Sequence, residues 1–164
     1  DPPAVVISSG RNAFSMARST LSSGGIWHWM FSRMRTISID RDGGNDLAAM
    51  RESVRLLEEG SALVLFPEGS RSPDGTIQPA KRGVGLLASM AKVPIIPARI
   101  FGSYEAWGRG MSIPKFFSRI HVAFAAPLLP EEYLARCDGS NRHQFIVNLV
   151  MERISQIESS YIFR

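Results

Sequence analysis

A short apolar run that ends in a charged loop places the strongest constraint on how this chain folds. Residues Ala62 to Phe66 are continuously apolar, as expected of a strand covered on both faces. Pro67 has no backbone N–H, so strand pairing should end there. The loop that follows, Glu68-Gly69-Ser70-Arg71, therefore lies at the carboxyl end of a strand, where open α/β sheets bind ligands. An arginine fork beside free backbone N–H groups suits a phosphate, although the same residues also suit two consecutive turns.

Strand-like and helix-like segments alternate along the rest of the chain, which predicts an α/β fold. The expected strands span residues 13–18, 36–41, 62–66, 93–100 and 119–124, and the expected helices span residues 4–7, 26–35, 46–59, 83–90, 130–137 and 142 to about 161. The strand, helix and strand between residues 36 and 66 form a βαβ unit, which implies a parallel pair.

Three further segments carry specific expectations. The helix over 46–59 has a predicted apolar face, Leu47, Met50, Val54 and Leu57, and ends at Gly60. Two prolines in the strand over 93–100 indicate an edge position or irregular pairing. The stretch 101–118 is rich in glycine and aromatic residues, and we expect a loop with a functional or covering role.

The charge balance favours an anionic partner. The formal net charge is +4, which suits a nucleic acid, an acidic membrane surface or a phosphorylated substrate. No block of Lys and Arg and no interleaved aromatic and basic stripe appears, so the sequence argues against nucleic-acid binding. The single cysteine, Cys137, excludes an internal disulfide framework, and no metal-ligand spacing is present. No apolar run reaches the length of a membrane-spanning helix, about 18 residues or more.

An aromatic and basic segment, residues 26–35, admits two interpretations. Its aromatic side chains either pack into the core or form an interfacial segment. In the second case Trp27 and Trp29 enter the headgroup region of a membrane, while Arg33 and Arg35 meet anionic lipid.

Three motifs carry a family resemblance. They are the segments Phe66-Pro67-Glu68-Gly69-Ser70-Arg71-Ser72, Lys81-Arg82-Gly83 and Val93-Pro94-Ile95-Ile96-Pro97. In this order and at this spacing they resemble the glycerolipid acyltransferases that acylate 1-acylglycerol-3-phosphate. The resemblance implies a single domain over residues 1–164, with a mixed, largely parallel sheet and helices on both faces. The strand ending in Arg41 resembles the family's second motif block, whose arginine is associated with the acceptor's phosphate.

The first motif block of the family is represented only by its end. It reads Asn-His-x-Ser-x-x-Asp, and Asp1-Pro2-Pro3 resembles its last residues. The His and Asp of that block act as general base and orienting carboxylate, so Asp1 is the candidate catalytic residue and its partner His would lie five residues upstream. None of His28, His121 and His143 begins a His-x-x-x-x-Asp pattern. We therefore expect a domain that lacks its amino-terminal part and is inactive alone.

The remaining site residues and partners also follow from the resemblance. The candidate phosphate-binding residues are Arg41, Glu68, Gly69, Ser70, Arg71 and Lys81, and the candidate acyl or membrane contacts are Trp27, Trp29, Pro94 and Pro97. The implied partners are a lysophospholipid acceptor, an acyl-CoA or acyl-carrier-protein donor and an anionic membrane surface, with no cofactor. The implied location is the cytoplasmic face of the cell membrane, peripheral or through an upstream anchor. A non-catalytic module that binds a phosphate headgroup or anionic membrane is the alternative.

Overall fold

The computed structural model describes residues 2–10, 13–18, 36–39, 46–108, 111, 113, 115, 117–135 and 141–159. The elements in chain order are α1 (Pro2–Ser9), β1 (Ala13–Arg18), β2 (Thr36–Ile39), α2 (Asp46–Glu58), β3 (Ala62–Val64), α3 (Gly83–Ala91), β4 (Ala98–Phe101), α4 (Ser103–Trp107), β5 (His121–Phe124), α5 (Pro130–Leu134) and α6 (Arg142–Ser155). This alternation of strands and helices confirms the α/β prediction.

A three-stranded parallel sheet has the strand order β2-β1-β3. The register places Ser15 beside Thr36 on one side of β1 and Ala13 beside Ala62 on the other. β2 and β3 are therefore parallel, but the predicted direct pair between them is wrong, because β1 lies between them. The small side chains of Ala13 and Ser15 are buried, which suits the central position of β1.

The remaining described strands form a separate antiparallel pair, β4 with β5, so the expected single mixed sheet consists of two sheets here. β4 begins at Ala98, five residues after the predicted start, and Ile95 contributes only an isolated bridge to Leu128. Pro94 and Pro97 explain the late start because neither has an N–H for a ladder. The irregular pairing expected from these prolines is confirmed.

Helix α2 buries a different face from the predicted one. Leu47, at the start of the predicted apolar face, is 67% exposed. Ala49, Ser53 and Leu56 are buried instead, and the cluster around Ala49 and Leu56 includes Phe14 of β1. Ser53 is tolerated there because its hydroxyl donates a hydrogen bond to the Ala49 carbonyl at 2.7 Å. Small residues on this face let the helix approach the sheet closely.

A second cluster holds the carboxyl-terminal helices against α3. Its buried members are Ala88, Leu128, Tyr133, Ile146 and Val150. The Tyr133 hydroxyl donates a hydrogen bond to the Val93 carbonyl at 2.8 Å, which ties α5 to the chain before β4. Gly85 permits close packing of α3 on α6, since a Cβ there would lie 2.1 Å from the His143 carbonyl oxygen.

Several boundaries differ from the sequence predictions. β3 ends at Val64 and its residues are only half-buried, so the predicted full cover is wrong; the strand borders a cavity. The expected loop over 101–118 contains helix α4, which follows Gly102 at a φ of +80°. α6 ends at Ser155, earlier than predicted.

Other predictions fall outside the described residues, namely those for Asp1, Trp27, Trp29, Arg41 and the helix over 26–35. Within the part of the chain that the structure describes, no helix has the length and apolar character needed to span a membrane.

Candidate functional site

A cavity of about 690 Å³ lies against the loop that follows β3. Its wall includes residues of α1, β3, β4, α4 and α6, and most of the lining side chains are apolar. Glu68, Ser70 and Arg71 line it from the loop. The cavity therefore combines a mostly apolar lining with a few charged and polar side chains, which is the usual composition of a small-molecule site.

The loop itself is shaped by Gly69. The Gly69 N–H donates a hydrogen bond to the Phe66 carbonyl at 3.0 Å, and its φ of +68° is a conformation that residues with a side chain rarely adopt. A Cβ at Gly69 would lie 3.1 Å from Lys81 Cδ and Cε. The Lys81 N–H also donates to the Pro67 carbonyl at 2.8 Å. The structure thus brings Lys81, a candidate phosphate-binding residue, against the loop.

Glu68 connects the start of this loop to Gln78, ten residues further along the chain. Its Oε2 accepts a hydrogen bond from the Gln78 N–H at 3.2 Å, which closes a long turn onto the strand end. Burial raises the pKa of the Glu68 carboxyl, and the hydrogen bond from Gln78 opposes that shift by a smaller amount. Within the described residues Glu68 forms no salt bridge with Arg71. Its visible role is to hold the loop's shape.

Arg71 lies against helix α4. Its Cζ is 5.8 Å from the ring centroid of Trp107, within the range of a cation–π contact. The Trp107 Nε1–H donates a hydrogen bond to the Met111 carbonyl at 2.9 Å, which fixes the indole ring. Arg71 and Trp107 both line the cavity. The guanidinium is exposed at this border, where an anionic ligand could reach it.

Tyr104 fastens α4 to the same loop from its other end. Its hydroxyl donates a hydrogen bond to the Pro73 carbonyl at 3.0 Å. Its ring also covers Gly75, where a Cβ would lie 3.1 Å from Tyr104 Cδ1. Sequence reasoning missed both Tyr104 and Trp107. Their spacing could have indicated a shared role, since residues three apart lie on one face of a helix. The surrounding glycines favoured a loop instead.

The turn after Arg71 is held by its own polar groups. Asp74 Oδ1 accepts hydrogen bonds from the Thr76 hydroxyl at 2.7 Å and the Thr76 N–H at 3.0 Å. These bonds, the one from the hydroxyl first, lower the pKa of Asp74. The Ser72 hydroxyl oxygen accepts from the Gly75 N–H at 2.9 Å. The two consecutive turns expected from the sequence are present, and they support the residues that face the cavity.

The other candidate residues divide into two groups. Pro94 and Pro97 line the cavity, in keeping with an apolar contact. Asp1, Trp27, Trp29, Arg41 and His28 lie outside the described residues. Neither of the described histidines lines the cavity. His121 stacks on Phe101 with 6.2 Å between ring centroids, and His143 lies in the first turn of α6.

Comparison with known proteins agrees with the geometry. The family model described as Acyltransferase matches residues 3–101. A 1-acyl-sn-glycerol-3-phosphate acyltransferase of Limnanthes alba is 37% identical over 91 residues, which cover 52% of this chain and 32% of that protein. A chloroplastic 1-acyl-sn-glycerol-3-phosphate acyltransferase of Brassica napus is 30% identical over 124 residues, covering 74% of this chain and 36% of that protein.

A solved structure shares the fold. The crystal structure of the 1-acyl-sn-glycerophosphate acyltransferase PlsC from Thermotoga maritima matches with a TM-score of 0.66 at 18% identity, covering 92% of this chain and 59% of that one. The chain spans about a third of the length of the two plant relatives.

Proposed function

Because the chain belongs to the acyltransferase family, we propose that it supplies the acyl-transfer site of a 1-acylglycerol-3-phosphate acyltransferase. The observation that carries the proposal is the position of Arg71, exposed at the border of an apolar cavity and held by Trp107. A phosphorylated glycerol with one acyl chain has a dianionic end and an apolar end. The loop with Arg71 would bind the dianionic end, and the apolar cavity would hold the acyl chain.

The phosphate of the acceptor would be bound by Arg71, with Lys81 close behind the loop at Gly69. A guanidinium can bind two phosphate oxygens at once, and an ammonium group adds charge without fixed geometry. Arg41 is the proposed second arginine. It follows β2 by two residues, and β2 and β3 run parallel on either side of β1, so their carboxyl ends meet at the same edge of the sheet.

The proposed reaction moves an acyl group from a thioester to a hydroxyl. The acceptor oxygen attacks the thioester carbonyl, a C–O bond forms as the C–S bond breaks, and the hydroxyl proton passes to a base and then to the departing thiolate. The base is proposed to be a histidine five residues before Asp1, with Asp1 fixing its tautomer and stabilising the imidazolium. Val5, four residues after Asp1, lines the cavity, which supports this assignment.

The acyl groups would occupy the apolar part of the cavity. Pro94, Pro97 and Phe101 are among the residues that line it. Burial of methylene groups there would contribute binding energy of roughly 0.8 kcal/mol for each. The proposed donor is acyl-CoA or acyl-carrier protein, and the proposed working place is the cytoplasmic face of the cell membrane, where the acceptor resides.

The test measures product formation by the protein together with any encoded residues that precede Asp1. With lysophosphatidate and acyl-CoA, phosphatidate and free thiol should appear in equal amounts. Asp1→Asn should lower the rate by roughly 10²–10⁴-fold, the usual contribution of acid–base catalysis. A preparation that is folded and binds lysophosphatidate, but gives no product with either donor type, would instead favour the non-catalytic binding module.

A further inference from the structure

The segment after α4 exposes a cluster of large apolar side chains. Phe117 is fully exposed, Ile113 is 72% exposed, and Met111 and Ile120 are also exposed. We call Met111, Ile113, Phe117 and Ile120 the apolar tip. Single exposed apolar residues are ordinary, whereas four of them between residues 111 and 120 make this segment a candidate interaction surface.

Hydrogen bonds connect the segment that carries the apolar tip to helix α4. The Lys115 N–H donates a hydrogen bond to the Ala106 carbonyl at 2.8 Å, and the Trp107 indole donates to the Met111 carbonyl at 2.9 Å. Gly102 lies against the Arg119 carbonyl, since a Cβ there would come within 2.2 Å of that oxygen. Met111 and Lys115 are therefore hydrogen-bonded to α4, and Arg119 lies against the residue before that helix.

The charge of the segment identifies the kind of partner. Residues 106–120 contain three basic residues, Arg109, Lys115 and Arg119, and no acidic residue. Lys115 and Arg119 are exposed. Apolar side chains interspersed with basic ones suit a surface that is apolar inside and negatively charged outside, as an anionic bilayer is. A second copy of the chain is a poor occupant, because pairing of two such segments would bring like charges together.

The place of the segment in the fold also favours a lipid surface. Trp107 and Gly108, at the base of the segment, line the cavity next to Arg71. A bilayer that meets the apolar tip would thus lie near the part of the cavity wall that Trp107 and Gly108 form. We propose that the apolar tip, with Lys115 and Arg119, docks the protein on anionic membrane. This rests on the membrane partner in the proposed function and assigns that partner a surface.

The test is co-sedimentation of the full 164-residue chain with phosphatidylcholine vesicles, with and without phosphatidylglycerol, and with no acyl donor. Leaving out the donor separates docking from catalysis. Binding should require phosphatidylglycerol and weaken at high salt. The double variant Ile113→Ser/Phe117→Ser should bind about tenfold or more weakly. The matched control Ile7→Ser/Leu47→Ser removes two exposed apolar side chains elsewhere and should bind like the unaltered chain.

The charge component has its own variant. Lys115→Glu/Arg119→Glu should lose binding to phosphatidylglycerol vesicles by a similar factor. Circular dichroism of each variant should match that of the unaltered chain, because all four positions are exposed.

Three results would overturn the proposal. One is binding by Ile113→Ser/Phe117→Ser that equals that of the unaltered chain, which would place the membrane contact elsewhere, for example on residues 26–35. The second is an equal loss in the control. The third is a dimer in solution that Phe117→Ser dissociates, together with no vesicle binding, which would assign the surface to a second copy.

Discussion

The guanidinium of Arg71 lies over the indole ring of Trp107, with 5.8 Å between Cζ and the ring centroid. This contact joins the loop after β3 to helix α4, although α3 and β4 lie between them in the chain. Tyr104 makes the second attachment through its hydrogen bond to the Pro73 carbonyl. Helix α4 therefore contacts the loop through two side chains, and it is expected to set the direction in which Arg71 points.

Trp107→Ala should weaken binding of the phosphorylated acceptor. An exposed cation–π contact contributes about 0.5–1 kcal/mol, which predicts a two- to five-fold rise in KM for lysophosphatidate. The kcat should change little, because the indole takes no part in proton transfer. Trp107→Phe retains a ring and should restore most of the affinity. Steady-state kinetics with both variants test this, and an equal rise in KM for a neutral monoacylglycerol would contradict it.

Gly69→Ala should impair acceptor binding beyond its effect on stability. Alanine at a φ of +68° is strained by roughly 1 kcal/mol, and its Cβ would also press on Lys81. Gly10→Ala is the matched control: its φ is +63°, and no atom lies within 4 Å of the added carbon. Thermal unfolding should show similar losses of stability in both. Only Gly69→Ala should raise the acceptor KM, and a similar KM in the two variants would argue against the Lys81 assignment.

Glu68→Gln should stabilise the protein at neutral pH. Burial raises the pKa of Glu68 above its unfolded value, so the protonated form is favoured in the folded state. The corresponding stability is complete below the unfolded pKa and is lost as pH rises through the folded pKa. Glutamine stays neutral and can still accept from the Gln78 N–H. The Tm of the variant should exceed that of the unaltered protein at pH 7, and the difference should vanish below about pH 4.

A Tm difference of constant size across the pH range would show that ionisation of Glu68 is not its source.

The turns of the site loop could be predicted from the sequence, whereas the packing of the strands and helices around it could not. The family resemblance names Gly69 and Lys81 as candidate residues of one site, and the structure places the Lys81 side chain against Gly69. Their part in phosphate binding stays a prediction. The central position of β1 depends on which strands pair with it. The weak alternation of apolar and polar residues in β1 does not indicate its partner strands. The predicted buried face of α2 was wrong because Ala49 and Ser53 are small and only weakly hydrophobic or polar. The hydrophobicity of a residue does not indicate where a helix packs closely on a sheet.

Helix α4 was missed for a different reason. Glycines before and after it favour loops, and five helical residues are too few for a periodic pattern to emerge. Its aromatic residues gain their importance only from the loop against which they pack. The sequence thus names Arg71 as a candidate phosphate contact, which stays a prediction, and it does not reveal the residues that hold Arg71 in place.

The most direct test of the account compares Arg71→Lys on two acceptors in the catalytically active protein. Lysine keeps the charge but lacks the fork, and a charge-assisted hydrogen bond contributes about 1.5–3 kcal/mol. We predict that kcat/KM for lysophosphatidate falls about 10- to 100-fold, while kcat/KM for a neutral monoacylglycerol and the donor KM change far less. Arg51→Lys, on the exposed face of α2, should leave both acceptors unaffected. Equal losses for the two acceptors in Arg71→Lys would contradict the assignment of the phosphate to Arg71.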